Sequence, residues 1–402
     1  MSAGGSTALT SVIDRKNAAV YLQVSSSCCI FVGSNDIYGN NVRLMHKNKE
    51  YMNKNTILLP EWALQSGLQL TWPHEATDWH DYLSDIQATY LEMADAVTRY
   101  EPLLVVTPHP DEVWQQLAKV LSKKQLSRVV MHRCPTNDTW ARDHGFITLT
   151  ADNGAATLLD FRFNGWGNKF PADLDNAINS SLYRHGVLGG TYVDHNDFVL
   201  EGGSIEADGN GTVLTTACCL LAPHRNQPLT RDDISRKLKE LLHAEQVLWI
   251  DYGHLEGDDT DGHIDTLVRT APNNTLLYIG CDDKRDEHYD DLYCMEEQLR
   301  TLRNAQGEPY RLLRLPMVDA MYDDGERLPA TYANFVIVNG AVIYPTYRQP
   351  ENDAKAAKVI AQAFPGYDLI GIDSCTVVRQ HGSLHCCTMQ LHGSLHGEHQ
   401  RA

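Results

Sequence analysis

Apolar and polar positions along this chain follow two periods, and the switches between them lay out its elements. Gly67 to Trp72 alternates with the period of two that suits a strand. Between Asp81 and Arg99 the apolar residues Leu83, Ile86, Tyr90, Met93 and Val97 recur at helical spacing. Residues 103–106 then read as a buried strand, 111–121 as a helix and 128–132 as another strand. Residues 1–51 show no such period. They are small and polar at first, then briefly apolar, then rich in Asn and Lys, and read as an appended, poorly ordered segment.

From residue 146 onward one unit recurs. Strands at 146–150 and 156–161 flank the hairpin signal Asp152-Asn153-Gly154, followed by a helix at 172–185 and a strand near Tyr192. The second copy has strands 204–207 and 212–216 around Asp208-Gly209-Asn210-Gly211, helix 230–242 and strand 247–250. A third places 264–269 and 276–279 around Pro272-Asn273-Asn274, with helix 286–303 and strand 311–315. The fourth pairs 335–338 with 341–344 around Asn339-Gly340, with helix 353–364 and strand 368–372. Turn positions 154, 209, 273 and 340 lie 55, 64 and 67 residues apart. With the earlier strands and the segment around Cys386, five units fit. The expectation is an α/β fold, a five-bladed pseudo-symmetric ββαβ propeller with its active site on the central axis. No Gly-x-Gly-x-x-Gly runs from a strand into a helix, which disfavours an open dinucleotide-binding sheet.

Composition changes the picture in two respects. A formal net charge of −18 makes nucleic acid and anionic membranes poor partners and favours a small cationic ligand. The 10 cysteines include no Cys-x-x-Cys pair and three sets of sequence neighbours (28/29, 218/219, 386/387), which speaks against a zinc ribbon or a disulfide framework. A reducing cytoplasm fits that usage. The apolar stretch after Arg15-Lys16 has a faint signal-peptide character, but Gln23 and Ser25-Ser26-Ser27 interrupt it.

One chemically loaded residue stands just before the first strand of each unit: Asp143, Glu201, the His263/Asp265 pair, Asn334 and Cys386. In a pseudo-symmetric ring these positions face the same end of the axis. Singly, each has a bland reading: a turn Asp, a solvated Glu, a core Cys or Trp140 in the core. His263 and Asp265, at i and i+2 of a strand, could also be two metal ligands, but no second ligand pair has suitable spacing. Together they make a thiol, an imidazole and three carboxylates. A Cys–His pair suits nucleophilic attack, and carboxylates match the planar fork of a guanidinium in bidentate fashion.

These residues carry a resemblance. Leu59-Pro60-Glu61-Trp62, Trp72-Pro73-His74 with Asp78-Trp79, the stretch 137–145, Glu201 to Ile205, Gly262 to Asp265 and His385-Cys386 closely resemble bacterial agmatine deiminases, within the bacterial-type peptidylarginine deiminase family. The resemblance covers about 59–390 and implies a pentein-like five-bladed propeller. It also implies that Asp143 and Asp265 grip a guanidinium, that Glu201 binds it or orients His263, and that Cys386 attacks the central carbon. His263 would protonate the departing ammonia and then activate water. Trp140 would line the pocket, with Trp72 and Asn334 also at the substrate. No cofactor and no metal are implied. The expected reaction turns agmatine into N-carbamoylputrescine and ammonia, a step toward putrescine and polyamines. Arginine or peptidyl-arginine deimination is the alternative, and a guanidinium-binding protein without turnover another. A homodimer stays open. The expected organisation is one catalytic domain over 52–391, with 1–51 dispensable, Met52 a candidate start, and 392–402 a tail that duplicates His381 to His385 without a cysteine.

Overall fold

The computed structural model describes residues 10–14, 19–25, 28–32 and 56–396. The chain divides into two compact units, Met1–Asn53 and Lys54–Ala402. In the first, Thr10–Asp14, Ala19–Ser25 and Cys28–Val32 form a three-stranded antiparallel sheet. The sequence pattern gave no sign of these strands, whose apolar residues come in short runs without alternation.

Among the described residues, the second unit holds five mixed sheets of three or four strands. In one, Ile205–Ala207 and Thr212–Thr216 pair antiparallel, the helix Arg231–Leu242 crosses over, and Gln246–Ile250 returns parallel to Thr212–Thr216. Two more repeat this: Val268–Ala271 and Thr275–Ile279 with Arg311–Leu315, and Val336–Val338 and Ala341–Thr346 with Asp368–Asp373. In the fourth sheet, Ile147–Ala151 pairs with Ala156–Arg162, Thr191–Val199 lies parallel to the latter, and Thr56–Leu58 adds an outer strand.

The fifth sheet joins distant parts of the chain. Thr388–Leu391 pairs antiparallel with Gly67–Thr71, and Leu103–Thr107 and Val129–Arg133 follow in parallel. Strands buried on both faces, such as Leu103–Thr107, read as continuous apolar runs because helices cover the sheets. The hairpins turn where positive φ is needed, with Asn273 and Asn274 at φ 60° and 53°. Helix Arg231–Leu242 starts with a capping box in which Thr230 and Asp233 satisfy each other's backbone N–H groups.

Three expectations are corrected here. Ile264–Thr266 is a 3-10 turn, with the strand beginning at Val268, so His263 and Asp265 do not share a strand face. Residues 384–387 form a turn rather than an extended segment, with the strand beginning at Thr388. The described part of 392–402 is integrated: Ser394–Leu395 pairs with Leu188–Gly189, and Ser66 Oγ donates to Gly393 O at 2.5 Å. Among the described residues no helix is long and apolar enough to cross a membrane.

Candidate active site

Short turns at the entrance of each first strand carry the functional side chains. Asp143 lies in the helical turn Ala141–His144, Glu201 precedes the 3-10 turn Gly202–Ser204, and His263 opens the turn that contains Asp265. Asn334 stands two residues before Val336–Val338 and Cys386 two before Thr388–Leu391. All six are buried.

The convergence centres on Gly203. A Cβ there would lie 2.7 Å from His263 Nδ1, 2.8 Å from Asp143 Oδ1 and 3.2 Å from Asp265 Oδ2. Only glycine leaves these three groups their places. Gly203 N also donates to Asp143 Oδ1 at 3.0 Å, Trp166 Nε1 donates to Asp143 Oδ2 at 3.0 Å, and His263 Nδ1 lies 3.6 Å from Asp143 Oδ1. Cys386 Sγ sits 3.8 Å from Asp265 Oδ2 and donates to Asn334 Oδ1 at 3.4 Å. Asn334 Oδ1 also accepts from the backbone N–H groups of His385 and Cys386, which holds the cysteine turn.

A ring of groups behind the first fixes it. His385 Nδ1 donates to Asp265 Oδ2 at 2.7 Å, and its Nε2 lies 2.8 Å from Glu61 Oε1. Arg269 bonds Glu61 and Glu206, and Arg142 bonds Glu61 and Gln390. Arg225 Nε donates to Glu201 Oε1 at 2.8 Å. Four buried atoms at the centre have no hydrogen-bond partner among the described residues: both ring nitrogens of His263, Asp265 Oδ1 and Glu201 Oε2. Burying such an atom unpaired costs about 1–3 kcal/mol, so a cluster of them marks a place built for a polar ligand.

The protonation pattern follows from burial and charge. Burial pushes the Cys386 thiol well above its usual range, and Asp265 and Asp143 add to this. For His263 burial works downward, but Asp143, Glu201 and Asp265 outweigh it and hold the imidazole above its ordinary value. Burial likewise raises Asp143 despite the opposing pull of His263. On Asp265 the upward effect of burial is overcome by the hydrogen bond and charge of His385, so this carboxyl stays below the usual range. A cation docked between the two aspartates would oppose the shift on the thiol.

A cleft of about 400 Å³ opens onto Cys386 and Asp143, with Trp140, Trp166 and Phe170 among its walls and Asp78, Asp138 and Asp259 among its polar groups. None of the residues lining it is Lys or Arg. Burial and Asp78 push Asp138 up to about 7, and burial, with Asp258 adding, takes Asp259 to about 6. Trp140 is therefore where it was expected. Trp72 is not: its fully buried ring packs edge-on against Tyr90 in the core and lines no part of the cleft, since an apolar ring at a strand end gains more there. Asn334 lies under the cysteine turn and lines none of the cleft either. Sequence reasoning missed Trp166, Arg225 and His385. The glycines flanking Trp166 were the available signal for the first, and the position of His385 beside Cys386 for the last.

Among the described residues, three groups of side chains place donor atoms within 4.8 Å of one another: His74/Glu75/His109, Glu201/Cys219/His263 and Glu61/Glu206/His385. Asp265 belongs to none of these groups.

The family profile of the Porphyromonas-type peptidyl-arginine deiminases matches residues 57–391. A Legionella pneumophila protein provisionally named an agmatine deiminase is 32% identical over 333 residues, 82% of this chain and 93% of its own length. A Porphyromonas gingivalis structure provisionally named an arginine deiminase is 48% identical with a TM-score of 0.79, covering 85% of this chain and 99% of that one. The C. jejuni agmatine deiminase structure is 38% identical with a TM-score of 0.75, covering 85% and 97%. With the mixed α/β sheets and the buried thiol, imidazole and carboxylates, these matches show that the chain belongs to the Porphyromonas-type peptidyl-arginine deiminase family and is a guanidino-group-modifying enzyme of the deiminase kind.

Proposed function

We propose that this protein deiminates agmatine to N-carbamoylputrescine and ammonia through a covalent thiouronium on Cys386, and that its five sheets stand as blades around one axis. The observation that carries the reading is the cluster of unpartnered buried atoms on His263, Asp265 and Glu201 beside a buried thiol. The N–H donors of a guanidinium satisfy Asp265 Oδ1 and Glu201 Oε2, each charge-assisted bond contributing about 1.5–3 kcal/mol. The equivalent placement of Asp143, Glu201, His263, Asn334 and Cys386 supports the ring, as does the pairing of Thr388–Leu391 with Gly67–Thr71.

The cation between Asp143 and Asp265 lowers the cost of ionising Cys386, whose proton leaves to solvent. The thiolate then forms a C–S bond to the central carbon. His263, held protonated by its three carboxylates, gives its proton to one amino group, and the C–N bond breaks to release ammonia. Neutral His263 next takes a proton from water, hydroxide adds to the same carbon, and the C–S bond breaks with its electrons returning to sulfur. The chemistry draws on no cofactor.

The tail decides the substrate. Asp78, Asp138 and Asp259 favour the distal ammonium of agmatine, whereas arginine would bring a carboxylate toward them. Arginine is the second reading, favoured by the name of the P. gingivalis relative. The test is ammonia release from agmatine, arginine and a blocked arginine peptide. We expect kcat/KM for agmatine to exceed the others by about 100-fold or more, roughly 3 kcal/mol of transition-state discrimination. Equal turnover of arginine ends the agmatine assignment and keeps the deiminase; no ammonia from any of the three ends both.

A further inference from the structure

Four consecutive residues, Gly165, Trp166, Gly167 and Asn168, have positive φ (64°, 54°, 85° and 65°). Their backbone bonds run over four residues: Asn168 N donates to Asn164 O and Lys169 N to Gly165 O, both at 2.9 Å. This is one turn of left-handed helix. L-residues avoid that hand, and glycine is at ease in it, so a tryptophan held there calls for a reason. The turn is tied in place. Asn164 Oδ1 accepts from Gly167 N at 3.0 Å, and Asn164 Nδ2 donates to His224 O at 2.9 Å. A Cβ on Gly165 would lie 2.2 Å from Phe170 O, and one on Gly167 2.9 Å from Pro223 O.

The turn reaches both sides of the site. Trp166 donates its indole N–H to Asp143 Oδ2 and packs edge-on against Phe163. Lys169, the next residue along, donates to Asp259 O at 2.6 Å and pairs with Asp261 Oδ2 at 2.8 Å, two residues before His263. Asp261 is also held by Arg225, whose Nε bonds Glu201. We propose that the left-handed turn Gly165–Asn168 is a strap that aligns the two sides of the guanidinium site, with Trp166 as the positioning residue that fixes the second oxygen of Asp143. This rests on the guanidinium reading of the site.

A donor to the ionised carboxylate favours that form. The charged and titratable groups facing Asp143 are His263, Asp265, Glu201 and the thiols of Cys386 and Cys387, and among them the strap contributes an uncharged hydrogen bond. Removing that bond raises the pKa of Asp143, so the acid limb of guanidinium binding moves to higher pH. The experiment measures calorimetric binding of agmatine, arginine and methylguanidine against pH, using Cys386→Ser protein with and without Trp166→Phe.

We expect binding to weaken by about 10–100-fold, the loss of one hydrogen bond to a charged group, and the limb to rise by about half to one pH unit. A packing role alone would lower Tm or weaken binding equally at every pH; an unmoved limb overturns the strap. If the phenylalanine variant does not fold, the benzothienyl analogue of tryptophan at position 166 keeps the ring, lacks the N–H and is read the same way. The preference among the three ligands tests the substrate independently: a limb that moves with arginine as the better ligand keeps the strap and ends the agmatine reading, and Cys386→Ser protein that binds none of them ends both.

Discussion

Cys386 and Cys387 are chain neighbours with opposite surroundings. The first faces Asp265 and Asn334; the second is fully buried among apolar residues and close enough to Tyr90 to share a hydrogen bond with it. Cys386→Ser therefore abolishes turnover, by roughly 10³-fold or more. Cys387→Val keeps activity near normal and costs at most about 1 kcal/mol of stability, as a change of similar volume in a core. Ammonia release and thermal melts on the two variants check this, and an active Cys386→Ser protein removes the nucleophile assignment. The separation of the two cysteines was legible from their adjacency, although its cause is a turn and not strand alternation. The thiol's high pKa was not legible, because it comes from burial in the fold, to which Asp265 and Asp143, far away in sequence, add.

At the scale of elements, the hairpin–helix–strand repeat could be read because each piece has a local cause. Gly154, Gly340 and Asn273-Asn274 turn the hairpins with positive φ, and apolar spacing marks the helices. The site turns had no such signal. A 3-10 turn around Ile264–Thr266 leaves the same polar–apolar–polar pattern as a strand, and Trp166 is set apart from a core tryptophan only by the glycines on either side. The end of the catalytic domain was misjudged for the same kind of reason. Residues 392–396 look polar and repetitive, yet His396 N donates to Val187 O at 2.8 Å and Leu395 packs beside Val187 and Leu188. Removing everything after Leu391 should lower Tm by a few degrees while leaving the site residues in place and activity largely intact. Calorimetry of the shortened protein checks this; an unchanged Tm would mean that the Ser394–Leu395 pairing contributes nothing.

For the whole molecule, buried ionisable groups outside the site set the response to pH. Burial raises Glu101 to about 7 and Asp175 to about 8, against ordinary carboxyls in the unfolded chain. The native state thus holds more protons than the unfolded state up to those values, and stability falls as pH rises through them. His144 runs the other way: burial pulls it to about 3, so the unfolded chain binds the extra proton below its usual pKa and stability falls on acidification. The expected Tm declines between about pH 6.5 and 8 as these two carboxyls ionise in the native state, by roughly 1–3 kcal/mol in stability. Glu101→Gln and Asp175→Asn should flatten the alkaline side of the profile; a Tm that rises from pH 6.5 to 8.5 would contradict the raised carboxyls.

The sheet that joins Thr388–Leu391 to Gly67–Thr71 also sets an order in time. A ribosome delivers Asp143, Glu201, His263, Asp265 and Asn334 in that order, and Cys386 after all of them. On the reading proposed above, until residues 388–391 emerge and find their partner strand, the nascent chain carries the carboxylates and the imidazole without the Cys386 thiol. On that reading, turnover begins with the pairing that completes the fifth sheet, and a chain interrupted anywhere upstream is silent rather than wrongly reactive.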